Sequence, residues 1–173
     1  DGVLDLAISA VYDGRPSDFY WGRGDGTFTL DAYHAGITRE SGWGMAAADL
    51  DNDGDLDLAA YGEVYENTLA GDGHWLQVRA VGDVASNRAG IGATISVTAG
   101  ERTWLRHVVG GTGQGNQDSI IVHFGLDDVE TIDAITIDFP GGGTVAFGGP
   151  LDVDQRLWPH ESGTIHAGWA PPE

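Results

Sequence analysis

Five aspartates stand at every second position of one short stretch, Asp49, Asp51, Asp53, Asp55 and Asp57, with a single glycine, Gly54, among them. Carboxylates packed this densely repel one another unless a cation neutralises them, and a short flexible run of oxygen donors is what a hard ion such as Ca2+ selects. Residues 49–57 therefore read as a calcium loop, and the flanking chain has to present it. An EF-hand meets the glycine requirement, since Gly54 is sixth from Asp49, but it needs a bidentate acid at the twelfth position, where the chain has Ala60. Leu56, Leu58 and Ala60 alternate with Asp57 and Ala59 and run into Tyr61. That alternation predicts an emerging strand and not the exiting helix of an EF-hand. A plain acidic turn would need one or two Asp or Gly residues, not a row of spaced carboxylates.

The spacing Asp49-x-Asp51-x-Asp53-Gly54-x-x-Asp57 resembles the calcium loop of FG-GAP/VCBS-type repeats. The resemblance implies that Asp49, Asp51, Asp53 and Asp57 bind through side chains and Asp55 through its backbone carbonyl. Asp1-Gly2-Val3-Leu4-Asp5-Leu6-Ala7-Ile8 can be laid on Asp53-Gly54-Asp55-Leu56-Asp57-Leu58-Ala59-Ala60, which places Asp5 and Asp57 at a period of 52 residues. Periods of this size mark propellers and arrays. Between the copies, Tyr20-Trp21-Gly22-Arg23-Gly24-Asp25-Gly26-Thr27-Phe28 is similar to the Gly-Asp-Gly-Thr-Phe turn of these repeats, with Asp72-Gly73 as a weaker echo.

A propeller typically closes with about four to eight blades, whereas about one and a half repeats are visible before the pattern changes near Gly73. The chain opens inside an earlier loop and without an initiator Met, so it is expected to be the C-terminal part of a longer protein or to receive its missing blades from partners. Twenty-seven acidic residues face eight basic ones, all arginine, for a formal charge of −19. Such a surface repels nucleic acid and anionic membranes. No apolar run approaches the roughly 18 residues of a membrane span, and the absence of cysteine excludes disulfides and thiolate chemistry.

From His74-Trp75-Leu76-Gln77-Val78 onward the chain reads as a second domain. Strands are predicted there and at 93–97, 103–109, 120–124, 134–139 and 144–147, separated by Gly-rich or Asp-rich turns. This half resembles the ASPIC/UnbV domain through His74-Trp75-Leu76-x-Val78-Arg79, Ser86-Asn87-Arg88-x-Gly90-Ile91-Gly92-Ala93, His123-Phe124-Gly125-Leu126 and Ile135-x-Ile137-x-Phe139-Pro140-x-Gly142. Two segments depart from the family. Gly113-Gln114-Gly115-Asn116-Gln117 stands where relatives have Gly-Tyr-x-Ser-Gln, and Phe139-Pro140-Gly141-Gly142 where they have Trp-Pro-Ser-Gly. The expected organisation is FG-GAP/VCBS-type repeats over 1–73, an ASPIC/UnbV-type β domain over 74–160 and a tail over 161–173. The fold class is all-β, a partial β-propeller-like array followed by a compact β-sandwich or barrel.

No residue set announces a reaction. A Gly-x-Ser-x-Gly elbow, a phosphate-binding Gly-rich loop with its lysine and a His-Glu-x-x-His pair are all absent. The six histidines are scattered; His74 and His123, which lie in the motifs of the ASPIC/UnbV resemblance, read as structural hydrogen-bonders and not as ligands. Arg23-Gly24-Asp25 spells an integrin-recognition tripeptide, but it coincides with the Gly-Asp-Gly turn of the repeat, which accounts for Gly24 and Asp25 without a receptor. Six tryptophans serve either packing or a platform for a sugar or protein partner. The sequence thus predicts a secreted, non-enzymatic, calcium-binding module for adhesion or assembly, with a protein or glycan partner or further copies of itself, no nucleic acid and no membrane insertion. The alternatives are an accessory region of a larger secreted enzyme and a self-assembling structural subunit.

Overall fold

The computed structural model describes residues 2–31, 36–37, 42–69, 71 and 73–170. Among them are fourteen strands and no helix. The first half forms two small antiparallel sheets. One comprises β1 (Leu6–Ile8), β2 (Asp18–Gly22) and β3 (Phe28–Leu30); the other comprises β4 (Met45–Ala48), β5 (Asp57–Ala60) and β6 (Glu63–Tyr65), each in chain order. The β5–β6 hairpin follows from its turn residues. Ala60 pairs with Glu63 across Tyr61 and Gly62, whose φ angles of 58° and 75° give the left-handed pair that a two-residue turn needs.

The second half is a sandwich. Strands β7 (His74–Val78), β10 (Val122–Asp127), β13 (Gln155–Pro159) and β14 (Ile165–Ala167) form one sheet in the order β10-β7-β13-β14. Strands β8 (Thr94–Ala99), β9 (Arg102–His107), β11 (Thr131–Asp138) and β12 (Thr144–Asp152) form the other in the order β12-β11-β8-β9. Thr94-Ile95-Ser96-Val97-Thr98-Ala99 shows why two layers result: every second side chain is buried, as a pleated strand requires of a half-apolar sequence. Leu76, Val78, Phe124, Leu126 and Leu157 from one sheet meet Ile95, Val97, Ile135, Ile137 and Phe147 from the other in one core. The sheets stay open and close into no barrel.

One predicted boundary shifts and one strand lies outside the predicted set. The segment set apart as a tail contributes β14, which pairs with β13 through Leu157↔Ala167 and Pro159↔Ile165, so the sandwich continues past residue 160. Strand β13 itself escapes the pattern reading because Gln155-Arg156-Leu157-Trp158-Pro159 does not alternate, ends in proline and finds its partner in parallel across the domain, Gln155↔Leu76.

The two halves touch through the reverse face of the β7 sheet. Strand alternation sends Leu76 and Val78 into the sandwich core and leaves Trp75 and Gln77 on the opposite face. That face is not solvent. Gln77 is 1% exposed although it is polar, because the acidic loop of the repeat lies against it. The free edge of β4 is also covered: Ala47 N–H donates to Asp118 Oδ1 at 2.9 Å, Ser119 N–H donates to the Ala47 carbonyl at 2.9 Å, and Asn116 Nδ2 donates to the Met45 carbonyl at 2.6 Å. Capping an edge in this way removes a row of unpaired backbone groups from solvent.

Candidate metal centre

The acidic loop joins β4 to β5, and the hairpin register brings its two ends together. Ala48 pairs with Asp57, so Asp49 and Asp57 stand side by side at the neck of the loop. Asp49, Asp51 and Asp57 each offer a carboxylate oxygen, and these oxygens lie within 4.8 Å of one another. The loop is held in shape by its own carboxylates. Asn52 N–H donates to Asp49 Oδ1 at 2.7 Å, Gly54 N–H to Asp49 Oδ2 at 3.3 Å, and Asp53 N–H to Asp51 Oδ1 at 3.3 Å. The buried Asp57 ties both sides of the hairpin, accepting from Leu50 N–H and Asn67 N–H at 2.9 Å each.

Gly54 is required twice. Its φ of 98° lies in the region that L side chains avoid, and a β-carbon built there would sit 2.1 Å from Trp75 Nε1. Asn52, at φ 65°, occupies the left-handed region that asparagine tolerates better than other non-glycine residues.

The predicted ligands divide. Asp49, Asp51 and Asp57 converge, while Asp53 is not among the three and its Oδ1 accepts the Asp55 N–H at 3.1 Å. Asp55, expected to contribute through its backbone, also turns its side chain inward: Oδ1 is buried and has no hydrogen-bond partner. Burial first, then the charges of Asp53, Asp57, Asp51 and Asp49, push its carboxyl up to about 6. Asp51 is likewise held above its ordinary value, by desolvation and by Asp53 and Asp57. An all-oxygen donor set, repelling charges and an orphaned carboxylate oxygen fit a hard divalent cation.

The earlier copy is plainer. Asp5 Oδ1 accepts the Gly22 N–H at 2.8 Å and pins β1 to β2; Asp1 and Asp72 lie outside the described residues. The Arg23-Gly24-Asp25 tripeptide is used inside its own turn, with Asp25 Oδ1 accepting from Thr27 N and Oγ1 at 2.9 and 2.6 Å and Arg23 Nε donating to Thr29 Oγ1 at 2.7 Å.

The loop also has partners that motif reading does not supply. Gln77 Nε2 donates to Asp49 Oδ2 at 2.5 Å and Arg156 Nε donates to Gln77 Oε1 at 2.7 Å. A second nitrogen of Arg156 donates to Asn52 Oδ1 at 3.3 Å, and its guanidinium stacks 4.7 Å over the Trp169 ring. Trp75 packs on Trp169 at 5.7 Å and on His123 at 6.4 Å. His74 is the structural hydrogen-bonder expected of it, pairing with Asp154 at 2.7 Å. His123 is not: its Nδ1 is buried without a partner, and burial lowers its pKa to about 4, so the ring is a neutral stacking surface. The one sequence signal for Gln77 was a polar residue flanked by Leu76 and Val78; nothing adjacent marked Arg156.

Both halves match known families. An FG-GAP-like repeat is matched over residues 1–60 and the ASPIC and UnbV domain over residues 82–165. The chain is an FG-GAP-like repeat followed by an ASPIC/UnbV domain. Both are extracellular β modules of larger proteins, and FG-GAP repeats bind calcium. No curated protein matches the chain. Among the described residues, no helix is long and apolar enough to cross a membrane.

Proposed function

We propose that this chain is a non-enzymatic, calcium-stabilised module that mediates adhesion or assembly outside the cell. The observation that carries the reading is the convergence of Asp49, Asp51 and Asp57 within 4.8 Å on a loop that also buries an unpartnered carboxylate oxygen. Calcium would be held by Asp49, Asp51 and Asp57, with Asp53 drawn in when the ion is present and Asp55 contributing its carbonyl. The ion's role is structural, since it offsets the mutual repulsion of the loop and fixes the β4–β5 hairpin against the second domain. Calorimetry on the full chain tests it: Ca2+ should bind, and Asp51→Ala and Asp53→Ala should abolish binding. Unchanged affinity in both variants would remove the assignment.

A partner is supported by the first sheet, whose register places Leu6, Tyr20 and Leu30 in one row while Leu6, Ile8, Phe28 and Leu30 remain exposed. An apolar strand face of this kind is an association surface. The partner is a protein, another copy of the chain or a glycan seated on an exposed aromatic such as Trp43 or Tyr12. Sedimentation across a calcium titration checks the self-association reading. A monomer at every calcium and salt concentration would exclude it.

A further inference from the structure

The calcium loop leans on a polar pair that belongs to the other domain. Gln77 and Arg156 are 1% and 8% exposed, and both lie on the face of the sandwich that meets the repeat. A buried glutamine is stable only when both ends of its amide are satisfied. Here the N–H end reaches Asp49 Oδ2 at 2.5 Å and the oxygen end takes the Arg156 Nε at 2.7 Å, which fixes the amide in one orientation. Arg156 completes the bridge through Asn52 Oδ1 at 3.3 Å and the Trp169 carbonyl at 3.2 Å. Its described hydrogen-bond partners are all neutral, so the anionic loop beyond Gln77 is the charge that balances this buried cation.

We infer that Gln77 and Arg156 are positioning residues for the cation loop, and that ion binding and docking of the repeat on the ASPIC/UnbV sandwich form one cooperative event. The inference rests on the calcium reading above. Asp49 is the ligand through which the two are joined: one of its oxygens is held from within the loop by Asn52 N–H, the other by Gly54 N–H and by Gln77. Orienting a ligating carboxylate from outside its own loop makes the affinity of the ion depend on the neighbouring domain. By linkage, the ion must then stabilise the docked face to the same extent.

Calcium calorimetry and hydrogen exchange on the full chain test this together. In the unaltered protein Ca2+ should slow exchange across 155–167, which spans β13, the strand that carries Arg156, and its neighbour β14. Gln77→Met, which keeps the length of the side chain but removes the bridge, should weaken calcium binding about ten-fold and cancel that protection. Asn52→Gly is a second route that leaves the sandwich untouched. Glycine accepts the left-handed backbone and keeps the N–H that Asp49 accepts, so the variant loses the side-chain contact to Arg156. By the same linkage it should reduce protection and weaken binding by a matching factor, smaller than that of Gln77→Met, and it decides the matter if Gln77→Met does not fold. Arg156 itself is left in place, because removing it would also remove a positive charge that repels the ion. Thr98→Ala, on the far sheet, should change neither readout. Calcium binding by the unaltered protein with no slowing across 155–167, or with both bridge variants behaving like it, would overturn the inference while leaving the calcium site intact. An unaltered protein that does not bind calcium would overturn the site itself and the coupling with it.

Discussion

The two halves of this chain solve the problem of burying a β-sheet in opposite ways. The sandwich interleaves apolar side chains from two four-stranded sheets, with Leu76, Ile95, Leu126, Ile135 and Ile137 completely shielded. In the repeat, the buried apolar residues among those described are Ile37, Met45 and Ala60, while Leu4, Leu30, Trp43 and Val64 stay more than half exposed. A core of that size cannot offset the conformational entropy of ordering its strands. On the calcium reading proposed above, the repeat is held by the acidic loop once an ion neutralises its charge, and by the sandwich face it rests on. The sandwich is then the scaffold, and the repeat, on that reading, a layer whose order depends on the ion.

The largest effect should come from the scaffold. Ile135→Ala empties a fully buried position between β8 and β12 and should cost about 2–5 kcal/mol. Thermal melts should show the loss with calcium or with chelator, because the sandwich core does not involve the loop. Ile37→Ala should instead lower only a calcium-dependent transition. Equal dependence on calcium in both variants would break the distinction between the halves.

Chelation ranks next. An ion that binds only the folded loop stabilises by mass action, about 2.7 kcal/mol at a concentration one hundred times its dissociation constant. Hydrogen exchange in chelator should therefore quicken across β4 to β6 and leave β8 and β11 protected. Residues 74–170 expressed alone should melt cooperatively without calcium, whereas residues 74–160 should be weaker, since they lack β14 and the Trp169 ring packed on Trp75 and Arg156.

A smaller change probes the contact between the halves. Gly54→Ala forces a side chain into positive φ and drives its β-carbon against the Trp75 indole. The cost should exceed the ~1 kcal/mol that alanine gains at a site whose backbone it can adopt and should fall on docking, seen as greater solvent quenching of tryptophan fluorescence, with the sandwich melt unchanged.

What could be read in the sequence follows from where each set of residues lies along the chain. The loop was legible because its carboxylates are neighbours, and the hairpin register converts the spacing of Asp49 and Asp57 directly into proximity. The core of the sandwich was legible as alternation in 93–97 and 134–139, which overlap the observed β8 and β11. Gln77 and Arg156 were not, because their meaning depends on a parallel pairing between β7 and β13 that joins residues 79 positions apart. Read alone, Gln77 is the outward residue of a half-buried strand; the repeat layer turns outward into interior.

The smallest effect concerns a second acidic loop, one that needs no ion. Glu161 belongs to the sandwich, and its Oε2 accepts the N–H groups of Val84, Ala85 and Ser86 at 2.9–3.0 Å while Oε1 accepts the Ser86 hydroxyl at 2.8 Å. Asp55, by contrast, has a buried oxygen with no donor at all. The consequence is opposite in sign. Burial alone would raise the Glu161 pKa, but the amides of Ser86 and Val84, the Ser86 hydroxyl and the Ala85 amide outweigh it and bring it from 4.5 to about 2. A carboxyl whose folded value is depressed contributes stability that is fully present above its unfolded value and disappears as the pH falls through the folded one. Glu161→Gln should accordingly lower the denaturation midpoint of the sandwich at neutral pH, and the gap to the unaltered protein should narrow from about pH 4.5 downward and close near pH 2. Calcium should not alter that gap, because the backbone amides of the 84–86 turn already satisfy this carboxylate. A gap independent of pH would mean that the Glu161 carboxylate is not what secures the 84–86 turn, and the contrast between a self-satisfied loop and an ion-dependent one would fail on its sandwich side.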